Sequence, residues 1–311
     1  MKIVHTGDWH LKIPEKHERW YLGRAAKFLS KLLDEGASEL IITGDIFDRT
    51  PTALEIGLLL GFLESVDCPV YIVAGNHDRN KKKAIRADYL KCILQFYNSN
   101  RIVWATDEIV QTKHYTLVPN YVLRQGGQIP DGNGKKWLLS HIRHKIKYSK
   151  AEYDLESIKG YELVLLSDIH TTFKYNDRIY YSMSPYRTTK KTILGLGDID
   201  NKGFGYNIID TQSHITHKEL WLPNHYSLKT TEKIGEFNNE NLIDVEYQIK
   251  YDQINEYEGE NVVITRDNMD INLQNNIYEV IEEILIKDFQ VSSPENYIDL
   301  LIRIVGELNV T

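Results

Sequence analysis

Three stretches near the start decide the fold: Ile3–His10 (IVHTGDWH), Leu40–Arg49 (LIITGDIFDR) and Val70–Arg79 (VYIVAGNHDR). Each opens on a short apolar run and empties into a loop of Gly, Asp, Asn and His. Such runs, bounded by turn formers, read as buried strands at Lys2–His5, Leu40–Thr43 and Val70–Ala74. Between them, Arg24–Leu33 carries apolar residues at helical spacing (Ala25, Phe28, Leu29, Leu32, Leu33), and Ala53–Val66 also reads as a helix. Strand, helix, strand, helix, strand predicts an α/β sheet with helices packed on its face. In open α/β sheets, sites form beyond the carboxyl ends of the strands, so the three loops are expected to converge.

Working outward, Thr116–Pro119, Lys136–Leu139 and Leu163–Leu166 read as further strands, the last two ending in the polar loops SHIRH and SDIH. The composition shifts around Gly195–Gly205, and Tyr206–Leu222 reads as a small β element. Polar, Asn- and Glu-rich sequence then runs to about Gln274, with one strand-like run at Asn261–Thr265. Beyond it, Ile277, Val280, Ile281, Ile284 and Leu285 recur at helical spacing, as do Tyr297, Leu300, Leu301, Ile304, Val305 and Leu308. Ser293 and Pro294 are suited to the N-cap and first position of that second helix. These shifts divide the chain at 1–195, 196–272 and 273–311.

The 311 residues are enough for one large domain and one or two small ones. A hydrophobic share of 42% and a charged share of 26% are those of a globular chain, and no apolar stretch is long enough to span a bilayer. The start, MKIVHTGDWH, carries no signal-peptide pattern, and Cys68 and Cys92 read as buried free thiols of a reducing compartment. A cytoplasmic location is expected. The net charge of −7 excludes a surface coated in basic residues, but not a nucleic-acid substrate met by metal cations and a local basic patch.

The chemistry sits at the strand ends. Asp8 and His10 follow the first strand, Asp45 the second, Asn76 and His77 the third, His141 the fourth, and Asp168 with His170 the fifth. Imidazole, carboxylate and amide oxygen together suit manganese, iron or zinc better than magnesium alone. A binuclear centre needs a carboxylate between its cations, and Asp45 holds the central position. Two cations roughly 3.5–4 Å apart activate a water and stabilise the leaving oxygen of an in-line displacement. Any one of these residues reads equally well as a turn former or a satisfied polar group. Their ordered recurrence predicts a metal site of Asp8, His10, Asp45, Asn76, His141 and His170. His144 is a rival to His141, but the strand Trp137–Ser140 ends directly at His141. His5, inside the first strand, reads as a core histidine.

D-x-H, GD-x-x-D, GNH-D, a later single His and a final x-x-H together resemble the signature of the calcineurin-like metallophosphoesterases. HTGDWHLK, TGDIFDR, AGNHDR and YYSMSPYR, then KGF at Lys202–Phe204, YNIIDT and ELWLPNH, are similar to the SbcD-type DNA-repair nucleases of that superfamily. The likeness spans roughly the first two-thirds of the chain. It implies an α/β fold: a layered β-sandwich flanked by helices, a small α+β capping domain at 196–272, and a C-terminal helical pair at 273–311. It implies two divalent metals, manganese before magnesium. Asp8, His10, Asp45 and His170 would surround one, and Asp45, Asn76, His141 and residue 168 the other. His77 is similar to the family's non-ligand histidine, which contacts the scissile phosphate and protonates the leaving oxygen. Asp78 is expected to orient His77, and Asp48 to pair with Arg79. The family usually carries GH-x-H in the last motif, whereas this chain has Ser167-Asp168-Ile169-His170. Asp168 is expected to be a ligand, since a carboxylate there would otherwise be an unpaired charge.

Arg79, Lys81, Lys82, Lys83 and Arg143, with Lys145, Lys147 and Lys150, leave the metal loops and are expected to meet a phosphate backbone. By resemblance, the C-terminal helices dock onto an SMC-like ABC ATPase of the SbcC type, and the nuclease domain forms a homodimer to which Leu90–Tyr97 contributes. The implied function is a DNA exo/endonuclease subunit in break repair or recombination. Two other readings are a phosphoesterase of small nucleotides or phosphoproteins, and a non-catalytic DNA-tethering scaffold. The strings flanking the metal loops favour the nuclease.

Overall fold

The computed structural model describes residues 1–14, 17–79, 88–134, 136–144, 153–171, 173–188, 191–193, 203–222, 224–230, 242–247 and 263–264. The helices expected at 273–311 and the lysines at 81–83, 145, 147 and 150 lie outside these residues. The first sheet is built on strands β1 (Ile3–Thr6), β2 (Glu39–Thr43), β3 (Val70–Val73) and β4 (Ile102–Ala105), all parallel. The second is built on the parallel strands β6 (Tyr115–Val118), β7 (Trp137–His141), β8 (Leu163–Ser167) and β10 (Ile179–Tyr181). Antiparallel β5 (Val110–Gln111) and β9 (Phe173–Lys174) close its two edges.

These strands are apolar on both faces because both faces are covered. Successive residues alternate between two cores. Ile3, Ile41, Val73, Leu117, Leu139 and Leu165 meet between the sheets. Val4, Leu40, Ile42 and Ile72 instead point outward to helices α1 (Glu18–Leu33) and α2 (Ala53–Ser65). Trp9 pins the two helices together, edge-on to Phe28 at 5.4 Å and to Phe62 at 5.6 Å. α2 begins in a capping box, with Thr52 and Glu55 bonding each other's backbone N–H. It is buried nearly all round, which explains its continuous apolar run. α3 (Tyr89–Tyr97) follows, N-capped by Asp88, and packs Leu90, Ile93 and Leu94 on the same core. Phe96 and Tyr97 lean on that core as well, so the residues expected at a dimer contact already serve the fold.

The β element expected inside segment 196–272 forms strands β12 (Gly205–Ile209) and β13 (Ile215–Glu219). β12 pairs antiparallel with β1, with Ile3 opposite Ile209, and β13 pairs with β12, so both extend the first sheet to six strands. The first sheet thus draws on chain beyond residue 195. A separate four-stranded sheet contains β11 (Lys191–Ile193), β14 (His225–Thr230), β15 (Leu242–Tyr247) and β16 (Val263–Ile264). Neither cysteine is in a disulfide, and both are half-buried rather than buried. Among the described residues no helix is long and apolar enough to cross a membrane.

Candidate metal centre

Because β1, β2, β3, β7 and β8 run parallel within their sheets, their carboxyl ends open on one edge of the sandwich. The loops there turn sharply. Asp8, His10, Asp45, Asp168 and His170 all have positive φ, at 51°, 45°, 50°, 107° and 55°. Non-glycine residues rarely occupy this region, and a cluster of them marks a place where local strain is retained for geometry. Neighbouring glycines make the crowding possible. A Cβ on Gly44 would stand 2.5 Å from His141 Nδ1, and one on Gly75 would collide with Asp45 Oδ1.

The structure brings Asp8, His10, Asp45, His141, Asp168 and His170 together. Asp45, 1% exposed, accepts the His77 backbone N–H on Oδ1 at 2.8 Å. Its Oδ2 lies 3.6 Å from His10 Nε2 and 3.3 Å from His141 Nε2. His10 Nε2 and His170 Nε2 approach to 3.1 Å. Asp8 receives the Asp168 backbone N–H on its carboxylate, and Asp8 Oδ1 is 3.9 Å from His141 Nδ1. Among the described residues, three groups have potential ligand atoms mutually within 4.8 Å: Asp8, His10 and His170; Asp8, Asp45 and His141; and His10, Asp48 and His77.

Hydrogen bonds fix two ring tautomers. A carbonyl oxygen can only accept, so His141 Nδ1 donates to Thr43 O (2.8 Å) and His77 Nδ1 donates to Asp48 O (2.8 Å). Each Nε2 is left for other work. His141 Nε2 and Asn76 Oδ1 are buried without a hydrogen-bond partner. A buried, unpartnered imidazole nitrogen on a ring beside the carboxylates of Asp8, Asp45 and Asp168, with an unpartnered amide oxygen in the next loop, offers electron pairs a cation can take, so this residue set fits divalent metal.

The electrostatics agree. Burial alone would lower the His141 pKa, but Asp45, Asp168 and Asp8 raise it well above its ordinary value. Burial likewise opposes the charge on His10, yet Asp48, Asp45 and Asp8 raise its pKa. Burial raises the pKa of Asp8 and lowers that of His170. Asp45 is pushed up by burial but held far below the carboxylate range by His141 and His10. The cluster thus concentrates negative charge that demands positive compensation.

Other expectations need correction. Asp78 does not orient His77; it is fully buried and accepts backbone N–H groups from Phe47 (3.1 Å) and Gly75 (2.9 Å), bracing the two loops. Burial, then the charge of Asp45, lifts its carboxyl to about 7. Asp48 pairs not with Arg79 but with Lys12 (2.7 Å), and lies 3.4 Å from His10 Nδ1. Arg79 is bound to Asp88 through Nε (2.9 Å) and Nη2 (2.6 Å) and stacks on Tyr121 at 3.8 Å, which ties up the guanidinium expected on DNA. Arg143 Nε holds Asp168 Oδ2 at 2.7 Å, so Asp168 is not an unpaired charge. Its Oδ1 still faces His141 Nε2 at 3.4 Å. His144 packs against Tyr181 and Tyr175. His5 is a core histidine, bonded to Thr43 Oγ1 (2.9 Å) and Asn207 Nδ2 (3.3 Å), and burial lowers it to about 3.

Sequence reasoning passed over the residues that brace the ligands. Thr43 supplies the carbonyl that orients His141, Ser184 Oγ bonds Asp8 O (2.8 Å), and Thr188 Oγ1 meets His170 Nδ1 (3.4 Å). The string YYSMSPYR contained Ser184, but nothing local revealed its partner.

The fold and this cluster define a metallophosphoesterase. The calcineurin-like phosphoesterase family matches residues 1–168, and the chain belongs to that family. It is 24% identical over 269 residues to the SbcD component of the SbcCD nuclease of Staphylococcus epidermidis, covering 72% of this chain and 69% of that one. It is 24% identical over 206 residues to a probable exonuclease subunit of Escherichia phage T5, covering 61% of each. It is 27% identical over 216 residues to an uncharacterized protein, R555, of Acanthamoeba polyphaga mimivirus, covering 58% of this chain and 16% of that one.

Proposed function

We propose that this phosphoesterase is a two-metal DNA nuclease subunit acting in break repair or recombination with an SMC-like ABC ATPase. The observation that carries the metal reading is Asp45 Oδ2, approached by both His10 Nε2 and His141 Nε2. Asp8, His10, Asp45 and His170 would hold one cation, and Asp45, Asn76, His141 and Asp168 the other. When bound, divalent cations neutralise phosphoryl charge and lower the pKa of a coordinated water. Manganese is favoured by the imidazole content of the donor set, with magnesium second. The names of the Staphylococcus and phage T5 relatives favour nucleic acid over a small phosphoester.

The chain's own part in the chemistry rests on His77. Its Nδ1–H is committed to Asp48 O, and the side chain is 35% exposed, so Nε2 can hold a proton and pass it to the leaving oxygen. Asp45 Oδ1 fixes the His77 backbone and couples the acid to the metal carboxylate. The ATPase would bind the segment 273–311, and homodimerisation is part of the same proposal. Manganese-dependent cleavage of linear duplex and single-stranded DNA, with and without the ATPase, tests this reading. Wild type is expected to cleave and His77→Ser to lose roughly 10²–10⁴-fold. Activity confined to small phosphoesters would replace the substrate, and no cleavage under any condition would favour a tethering scaffold.

A further inference from the structure

Among the described residues, two arginines beside the metal loops carry no counter-charge. Arg24, on α1, is 6% exposed, and its guanidinium lies 4.1 Å from the Tyr186 ring, 4.7 Å from Trp20 and 4.9 Å from Tyr21. Its Nη1 donates to Arg187 O at 3.3 Å. Arg187 is gripped again from the other side, where its backbone N–H donates to the buried Asn224 Oδ1 at 2.8 Å. The Arg187 guanidinium stacks over Phe204 at 5.5 Å, and its Nε is buried without a hydrogen-bond partner. Among the described residues no carboxylate lies within 4.0 Å of either guanidinium. Surrounding rings compensate Arg24, whereas Arg187 is half-buried on one ring.

Position gives this residue a use. The segment carrying Arg187 is bonded into the metal centre at both ends, by Ser184 Oγ on Asp8 O and by Thr188 Oγ1 on His170 Nδ1. On the far side of Phe204, its carbonyl accepts the Leu220 N–H at 2.8 Å, which places Trp221 next along the chain. Leu220 and Leu222 are buried, but Trp221 between them is 63% exposed. Indole is costly to leave in water, and an exposed tryptophan one residue past the backbone contact to Phe204, the ring that seats Arg187, offers with it what binds unpaired nucleotides: a cation for the phosphate, a ring for the base.

We propose that Arg187, seated on Phe204, binds a backbone phosphate flanking the scissile one, and that Trp221 stacks the adjoining unpaired base. This rests on the nuclease reading above and adds a strand-positioning subsite to it. Arg24 and Asn224 act through Arg187, holding its backbone, and touch no substrate.

The test uses the full chain with a labelled single-stranded oligonucleotide, read by fluorescence anisotropy across a salt series, alongside cleavage of that strand and of bis(p-nitrophenyl) phosphate. Arg187→Ala is expected to weaken binding about tenfold and to lower the slope of log K against log salt by about 0.7, the loss of one phosphate contact. Trp221→Ala is expected to weaken single-strand binding at least about fivefold without changing that slope. The loss in kcat/KM on the oligonucleotide should exceed the loss on the small diester by at least about fivefold for either variant. Arg187→Lys should recover most of the slope if charge is what acts. Equal losses on both substrates would overturn the subsite, and so would unchanged binding while wild type cleaves DNA. If wild type neither binds nor cleaves the oligonucleotide but hydrolyses the diester, the nuclease reading falls and takes the subsite with it.

Discussion

Asp168 illustrates how one side chain divides its two oxygens between structure and chemistry. Oδ2 is held by Arg143 Nε at 2.7 Å, and Oδ1 looks toward His141 Nε2 at 3.4 Å. Burial raises its pKa, but His141 and Arg143 together lower it below the ordinary value, so it enters the site ionised. A pre-oriented carboxylate is a competent oxygen ligand, harder than the histidine usual at that place in the family. On the two-metal proposal, wild type is expected to hold two manganese ions tightly and Asp168→Ala only one, by elemental analysis after gel filtration. Two tightly held ions in the variant would make Asp168 a bystander. The residues of the cluster were legible because each ends a strand in a short polar loop, so local pattern suffices. Their braces were not: Arg143 with Asp168, Asp78 with Phe47 N–H, and Thr188 with His170 are meetings of distant loops, and no local period encodes them.

At the scale of elements, the early α/β alternation was legible because strands buried on both faces read as unbroken apolar runs. β12 was legible as a strand but not as a neighbour of β1, since antiparallel pairing across about two hundred residues leaves no local mark. What locks that pairing is Glu35, just past the end of α1. Its carboxylate takes Lys2 Nζ at 2.5 Å, Tyr206 OH at 2.5 Å and Lys218 Nζ, so it joins the segment before β1 to β12 and β13. Burial raises the Glu35 pKa, but hydrogen bonds from Lys2, Lys218 and Tyr206 prevail and take it down to about 2. A carboxyl depressed on folding contributes stability above its unfolded value and loses it as pH falls toward the folded one. That contribution should therefore fade between about pH 4.5 and about pH 2. Glu35→Gln is expected to lower the urea midpoint at pH 7, with the gap from wild type closing through that acid window. A gap independent of pH would assign the loss to packing rather than charge.

At the scale of the molecule, the two six-stranded sheets share an edge that carries a cluster of carboxylates and imidazoles drawn from both. Asp8, His10, Asp45 and Asn76 leave the first sheet, while His141, Asp168 and His170 leave the second. Lower down, the sheets are joined by apolar contact among Ile3, Ile41, Leu139 and Leu165. At the top, Asp8, Asp45 and Asp168 would repel one another, and charged His10 and His141 relieve this only while they hold protons. A divalent cation held by these residues would supply that positive charge without the protons, and since the residues come from both sheets it should stabilise the sandwich as a whole. A ligand at a hundredfold its Kd contributes about 2.7 kcal/mol. For a domain of this size each kcal/mol moves Tm by about 2–4 °C, giving an expected rise of roughly 5–10 °C when manganese is restored after chelation. His141→Ala removes a proposed ligand of the second sheet only. It is expected to cut the manganese-induced rise by more than half while leaving the chelated protein folded by circular dichroism. A full rise in that variant would mean that the first sheet holds its cation alone and that the metal is no clamp between the sheets.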